Sequence, residues 1–151
     1  MSRRVVLDAC VIVKLLVEEE GSSVARSVVA TAHATGTRPL APAHAMAEVA
    51  EVLARKVRAN LISREQFDLA LSRSETIAEV VALRDLLPTA ADLALDYGAS
   101  VYDSLYMALA ALQNVALITA DARLVRIFSG THYRDLLIAI DGDRIIFYGD
   151  G

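Results

Sequence analysis

The chain has 151 residues, of which 55% are hydrophobic and 23% charged, so a folded domain is expected and extended disorder is excluded. Its net charge is 15 − 19 = −4, which argues against a nonspecific nucleic-acid coat protein, because such proteins are usually basic. Its apolar runs are too short or too interrupted to cross a bilayer, and the single cysteine, Cys10, excludes an internal disulfide and fits a reducing cytoplasm.

The first half of the chain predicts two short strands, each followed by helices. The expected elements are a strand over 4–8, an apolar run over 9–17, a solvated break over 18–21, a helix over 22–33, an extended piece over 36–40 and a helix over 43–59. In the last of these, apolar residues recur at three- and four-residue spacing: Met46, Val49, Leu53 and Val57. That spacing is typical of a helix with one buried face.

The second half continues the alternation and closes on a hairpin. The expected elements are a helix from a capping box at 63–66, a strand near 77–81, a turn into Pro88, helices over 89–98 and 100–113, a strand over 115–118, a helix that includes 124–128 and a hairpin turn at 141–143. Strands that alternate with helices favour an α/β domain with a central, mainly parallel sheet. We predict one domain over residues 1–151.

Two aspartates directly follow predicted strands. Asp8 comes after Val5-Val6-Leu7, and Asp121 comes after the apolar stretch that ends at Thr119-Ala120. In a doubly wound sheet both would lie at the carboxyl ends of parallel strands, where ligands bind. Helix capping is the alternative explanation for each of them, because Asp is a preferred N-cap residue. Two acids at the same edge of one sheet favour a binding site.

Two further acids interrupt apolar helices. Asp103 lies in VYDSLYMALAAL, where it could instead be the acidic third residue of a capping box that begins at Ser100. In AHAMAEVAEVLARK, Glu48 and Glu51 both point away from the apolar stripe, so spacing alone does not show which of them belongs to the site. A solvated helix face is the alternative for both glutamates.

Carboxylates gathered in one cleft predict a metal ion. Each close pair would repel by roughly 3 kcal/mol at about 5 Å with an effective dielectric near 20. A divalent cation offsets this repulsion, and ligands that are all oxygen select hard ions such as Mg²⁺ or Mn²⁺. Such a site can align a phosphodiester, activate a water molecule and stabilise the leaving oxygen.

Four sequence blocks resemble the signature blocks of PIN-domain ribonucleases, and in particular VapC-type toxins of toxin–antitoxin pairs. The blocks are VVLDACVIVKLLVEEEGS, APAHAMAEVAEVL, YDSLYMALA and LITADARL, in the family's order and spanning about residues 5 to 125. The resemblance implies a three-layer PIN-like fold and an endoribonuclease dependent on Mg²⁺ or Mn²⁺. The residues it implies as metal-binding and catalytic are Asp8, Glu48, Asp103 and Asp121. It selects Glu48 over Glu51 because the family's glutamate precedes the Val-Ala pair.

The resemblance also implies partners, namely an RNA substrate, a cognate antitoxin protein and a second copy of the chain in a homodimer. Basic residues near the acidic helices are candidates for RNA contacts at the rim of the site: Arg55, Lys56, Arg58, Arg123 and Arg126. An acidic cleft of this kind also suits a regulator that inserts an arginine. Two open alternatives are a PIN-like protein that only binds or regulates and a solitary RNA-processing nuclease.

The chain departs from the family at two places. Cys10 stands where the family usually has Ser or Thr, although Thr119 matches the pattern and is expected to supply a hydroxyl near the acids. Residues 141–151 extend past the usual end of the fold, and the sequence assigns them no role. A phosphatase on another acidic scaffold is disfavoured, because no second Asp follows Asp8 two residues later.

Other kinds of site find little support in the sequence. The three histidines, His33, His44 and His132, show no zinc-binding spacing, and no glycine-rich nucleotide-binding motif is present. Cys10 is expected to be a small buried side chain rather than a nucleophile. Tyr102 and Tyr106 could stack on bases, although a core position is expected for at least one of them.

Overall fold

A central sheet organises the computed structural model, which describes residues 4–33, 36 and 38–149. Six strands lie within these residues: β1 (Val5–Leu7), β2 (Leu40–Pro42), β3 (Glu79–Val81), β4 (Ala116–Thr119), β5 (Leu137–Asp141) and β6 (Arg144–Phe147). Their order across the sheet is β3-β2-β1-β4-β5-β6, and every neighbouring pair is parallel except β5 and β6. The predicted α/β fold with a mainly parallel sheet is confirmed.

Helices flank this sheet. In the described part of the chain there are seven α-helices: α1 (Ala9–Leu16), α2 (Ser22–Ala32), α3 (Ala45–Arg58), α4 (Arg64–Ile77), α5 (Leu87–Tyr97), α6 (Val101–Gln113) and α7 (Ala122–Phe128). Two 3₁₀ turns lie at Leu83–Asp85 and His132–Leu136. None of the helices in the described ranges has the length and apolar character that crossing a membrane requires.

The strand order reverses between β1 and β4, which places the carboxyl ends of these two parallel strands side by side. Val6 of β1 aligns with Leu40 on one side and with Leu117 on the other. From β1 the chain adds β2 and β3 outward in one direction and β4 and β5 in the other. Ligands of doubly wound sheets bind outside the carboxyl ends of the strands at such a reversal. Here those ends lead directly into α1 and α7.

Helix α6 forms the most deeply buried helical part of the core. Seven consecutive residues, 104–110, are buried, which fits the nearly continuous apolar sequence SLYMALA. Ser100 caps the first turn through its side chain, and Asn114 closes the last turn in the left-handed conformation at φ 53°. Helix α6 is therefore packed on several sides, and this packing holds Asp103 and Tyr106 in place.

Several predicted boundaries shift. Ile77 ends α4, so the third strand covers 79–81 rather than 77–81. The helix expected from Thr89 begins at Leu87, because Pro88 fits the first turn of a helix, where its missing N–H has no partner to lose. The C-terminal hairpin is confirmed, with Asp141 opposite Arg144 and Gly142 in the left-handed region at φ 60°.

The expectation of a solvated break over 18–21 is wrong for Glu19. The chain has two lysines, and both pair with this residue. Lys14 of α1 lies 3.2 Å from Oε1, and Lys56 of α3 contacts Oε2. The three side chains are 17–22% exposed, so the cluster ties α1 to α3 in a partly buried setting. Because Lys56 is committed to Glu19, it is not a free cation for RNA.

Candidate active site

Asp8 stands between β1 and α1 and serves as the N-cap of α1. Its Oδ1 accepts a hydrogen bond of 3.0 Å from the backbone N–H of Val11, and its Oδ2 accepts one from the Thr119 hydroxyl. The residue is only 3% exposed. Burial raises the pKa of Asp8 to about 6, against the lowering effect of hydrogen bonds from Thr119, Val11 and Ala120, and the charge of Asp121 adds to the rise.

Asp121 occupies the corresponding position between β4 and α7. Its Oδ1 accepts hydrogen bonds from the backbone N–H groups of Arg123 at 2.9 Å and Leu124 at 3.3 Å, so Asp121 is an N-cap as well. Its own N–H donates to Thr119 Oγ1 at 3.0 Å. Thr119 therefore links the two acids, since it accepts from the backbone of Asp121 and donates to the carboxylate of Asp8. The hydroxyl expected near the acids is present.

Glu48 and Glu51 have different surroundings in the structure, although residue spacing alone could not distinguish them. Glu48 of α3 is partly buried beside α6, where its Oε1 accepts from the Tyr106 hydroxyl and from His44 Nε2, each at 2.9 Å. Glu51 is exposed and lies 3.4 Å from Arg58. Partial burial acts to raise the pKa of Glu48, but the hydrogen bonds from His44 and Tyr106 outweigh it, so the pKa lies below its ordinary value.

Asp103 lies in the first turn of α6 and is partly buried. Its N–H donates to Ser100 Oγ at 3.0 Å, as expected for the third residue of a capped helix. Burial raises the pKa of the Asp103 carboxyl, and the charge of Asp121 raises it further. Arg123 opposes this rise, while Glu48 contributes to it more weakly. Asp103 therefore shares an electrostatic environment with both Asp121 and Glu48.

Electrostatic interactions link the four acids in pairs: Asp121 with Asp8 and with Asp103, and Asp103 with Glu48. In the described ranges, no Lys or Arg forms an ion pair with Asp8, Asp103 or Asp121. Glu48 pairs with His44. A set of oxygen ligands with uncompensated charge fits a hard divalent cation. As placed, however, no group of three or more His, Cys, Asp or Glu side chains among these residues is close enough to hold a metal ion.

Cys10 lies in the first turn of α1, close to the acids, and is partly exposed. Burial raises the pKa of its thiol to about 12, with further contributions from the charges of Asp8, Asp121 and Glu48. A thiol in this surrounding stays protonated at neutral pH and is a poor nucleophile. Cys10 is thus less buried than the sequence predicts, and its raised pKa disfavours a nucleophilic thiol.

The sequence did not predict that His44 and Tyr106 contact Glu48. His44 was considered only as a zinc ligand, whereas it precedes Glu48 by four residues and contacts it. Tyr106 is a core residue at 2% exposure, as expected for one of the two tyrosines, but its hydroxyl reaches Glu48. His44 precedes Glu48 by four residues, and Tyr106 follows Asp103 by three. Residues at these spacings are neighbours on a helix surface, so the spacing from an acid is the sequence signal for both residues.

The four arginines that are candidates for RNA contacts lie in different surroundings. Arg123 is exposed and close enough to Asp103 to lower its pKa. Arg126 is exposed and lines a groove of about 280 Å³ that also includes Ala120, beside Asp121, and Tyr148. Arg55 is exposed, and Arg58 lies near Glu51.

Comparisons with known proteins agree on the fold. A family model described as the PIN domain matches residues 5–128. No match was found among curated proteins. The crystal structure of PAE2754 from Pyrobaculum aerophilum is similar with a TM-score of 0.60 and 16% identity, covering 85% of this chain and 82% of that one. A toxin-antitoxin complex from Klebsiella pneumoniae is similar with a TM-score of 0.56 and 14% identity, covering 91% of this chain and 97% of that one.

At these identities the two solved structures show a likeness of fold alone. The family model carries more weight, because it extends from β1 through α7 and so includes all four acids of the candidate site. This chain belongs to the PIN domain family.

Proposed function

We propose that this chain is a metal-dependent endoribonuclease, folded as a single PIN-like domain over residues 1–151. PIN domains are generally nucleases, which hydrolyse phosphodiester bonds. The observation that supports the proposal best is the buried carboxylate of Asp8, which has no basic partner in the described residues and lies at the reversal of strand order. A buried carboxylate is costly without a cation, and a divalent metal ion would supply one.

The proposed ligands of Mg²⁺ or Mn²⁺ are Asp8, Asp103 and Asp121, while Glu48 shares in ligation or positions the attacking water. When bound, the ion would align the scissile phosphate and lower the pKa of a water molecule. The acids repel one another in the absence of an ion, which is consistent with the raised pKa of both Asp8 and Asp103. Cation binding would offset that repulsion.

The proposal predicts both the metal requirement and the product. Purified protein should cleave RNA in Mg²⁺ or Mn²⁺ to give 5′-phosphate and 3′-hydroxyl ends, because a water molecule and not the 2′-hydroxyl attacks phosphorus. End-labelled oligonucleotides and phosphatase sensitivity would identify these ends. Cleavage that persists in excess EDTA, or products with 2′,3′-cyclic phosphates, would contradict the mechanism. Metal binding without any cleavage would favour the alternative of a PIN-like regulatory protein.

We also propose that the chain is a toxin of the cytoplasm, held inactive by a cognate antitoxin. One supporting observation is the similarity of its fold to a toxin-antitoxin complex from Klebsiella pneumoniae. Another is the set of four acids without a Lys or Arg ion pair in the described residues, which would attract an arginine from a partner. Large apolar side chains are exposed on the described surface, among them Leu95 at 85% and Phe147 at 63%, which fits a protein that buries surface against partners in a homodimer.

These partners can be tested together. By analytical sedimentation the purified chain should be a dimer, and the product of the neighbouring gene should bind it, inhibit cleavage and raise its melting temperature, because a ligand of the folded state stabilises it. A monomer that cuts RNA and finds no such binding partner would favour the alternative of a solitary RNA-processing nuclease.

A further inference from the structure

One oxygen of Glu48 carries all the hydrogen bonds that this carboxylate makes. Oε1 accepts from the Tyr106 hydroxyl and from His44 Nε2, both at 2.9 Å. No donor contacts Oε2 in the described part of the chain. The two donors come from different elements, since His44 is the N-cap of α3 and Tyr106 lies on α6. The contacts therefore fix Glu48 between two helices.

The partners of His44 define which ring nitrogen carries the hydrogen. Nε2 lies 2.9 Å from Glu48 Oε1 and 3.0 Å from the carbonyl oxygen of Tyr102, and both of these oxygens are acceptors. Nε2 must therefore be the donor, and its single N–H is shared between the two oxygens, an assignment that rests on its partners. Nδ1 is buried with no hydrogen-bond partner. The imidazole is 9% exposed and packs on the Tyr106 ring at 4.8 Å between centroids, so its orientation is fixed.

The Tyr106 hydroxyl is equally constrained. The residue is 2% exposed, and burial, followed by the charges of Glu48 and Asp8, raises the pKa of the phenol. Its hydroxyl donates to Glu48 Oε1 at 2.9 Å, so the tyrosine serves Glu48 as a hydrogen-bond donor. Asp103 lies one turn earlier on the same helix. Helix α6 thus carries one proposed metal ligand and also a donor that orients another.

We propose that His44 and Tyr106 are positioning residues, which occupy Oε1 of Glu48 and leave Oε2 for the divalent ion or its bound water. The pair is called here the Glu48 clamp. This inference rests on the proposed function, and it assigns roles to a histidine and a tyrosine that touch neither the substrate nor the metal. Outer contacts of this kind hold a ligand in one orientation, so that binding a metal ion does not have to order it.

The test is the affinity of the purified chain for Mn²⁺, measured by calorimetry without substrate. Tyr106→Phe keeps the ring and removes the donor, and it should weaken Mn²⁺ binding by about 10- to 100-fold, the usual effect of losing an outer contact to a ligand. His44→Phe should weaken binding in the same range, whereas His44→Gln keeps an N–H donor and should recover part of the loss. Melting temperatures in EDTA would show that each variant is folded.

Matched controls separate the clamp from general effects of the substitutions. Tyr97→Phe removes a hydroxyl that has no hydrogen-bond partner in the described chain, within an aromatic cluster with Phe128 and Tyr133. Glu51→Gln removes an exposed carboxylate of the same helix as Glu48. Both variants should bind Mn²⁺ as the wild type does.

A double-mutant cycle tests whether the clamp acts through Glu48. In a Glu48→Gln background, Tyr106→Phe should cause no further loss of Mn²⁺ affinity, because the group that it orients is already gone. Equal losses in both backgrounds, or a Tyr106→Phe variant that binds Mn²⁺ as the wild type does, would overturn the clamp and leave the nuclease proposal standing. A wild-type chain that binds no Mn²⁺ at all would overturn the proposed function and the clamp together.

Discussion

The Asp103→Asn variant should cleave RNA roughly a thousandfold more slowly than the wild type, a loss of about 4 kcal/mol in transition-state stabilisation. Asp103 lies at the start of a buried helix, where burial and the charge of Asp121 raise the pKa of its carboxyl. The amide is nearly the same shape but carries no charge, so it would ligate a divalent ion poorly. Single-turnover cleavage at saturating Mg²⁺ would measure the effect.

Asp96→Asn is the matched control for this variant. Asp96 lies on the neighbouring helix α5 and is exposed, so its substitution should leave the rate unchanged. The melting temperature of Asp103→Asn in EDTA should not fall below that of the wild type, because the folded state disfavours the ionised carboxyl that the substitution removes. An Asp103→Asn variant that cleaves RNA as fast as the wild type would remove Asp103 from the site.

The positions of Asp8 and Asp121 at the ends of strands could be predicted from the sequence, because strand ends and helix caps are local features. Helix capping is the alternative to a binding site for Asp8 and Asp121, and the structure confirms that both residues are caps. Oδ1 of Asp8 caps α1, and Oδ1 of Asp121 caps α7. The other oxygen of Asp121 receives no donor within the described residues, whereas Asp8 is also hydrogen-bonded by the Thr119 hydroxyl and the backbone of Ala120. An aspartate can thus follow a strand and cap the next helix with one oxygen, while its other oxygen makes no bond to that helix.

The features that the sequence could not predict depend on contacts between distant segments. The hydrogen bond that distinguishes Glu48 from Glu51 comes from Tyr106, which lies 58 residues away along the chain. Glu19 was assigned to a solvated break because a run of three glutamates usually faces water, but Lys14 and Lys56 come from two different helices to meet it. Periodicity reports which face of a helix is apolar and cannot report which polar partner another helix will bring.

The Asp8→Asn variant should remove a pH-dependent loss of stability that the metal-free wild type shows. Burial raises the pKa of Asp8 from 3.8 to about 6, so between these values the folded state holds more protons than the unfolded chain. The free energy of unfolding therefore falls as pH rises through this window, and the stabilisation that comes from protonated Asp8 is fully lost above it. At about 1.4 kcal/mol per pKa unit, the loss amounts to about 3 kcal/mol. Urea unfolding in EDTA at several pH values between 4 and 7 would measure it.

The comparison of the two proteins isolates Asp8, because every other titrating group is common to both. Asn keeps an oxygen that can cap α1 for Val11, and its amide can donate to the Thr119 hydroxyl oxygen, so the fold should survive. At pH 7 in EDTA the variant should be the more stable protein. Saturating Mg²⁺ should reverse that order, since the ion binds the carboxylate of the wild type and stabilises its folded state. Parallel pH profiles for the two proteins in EDTA would show that the burial of Asp8 does not determine its protonation.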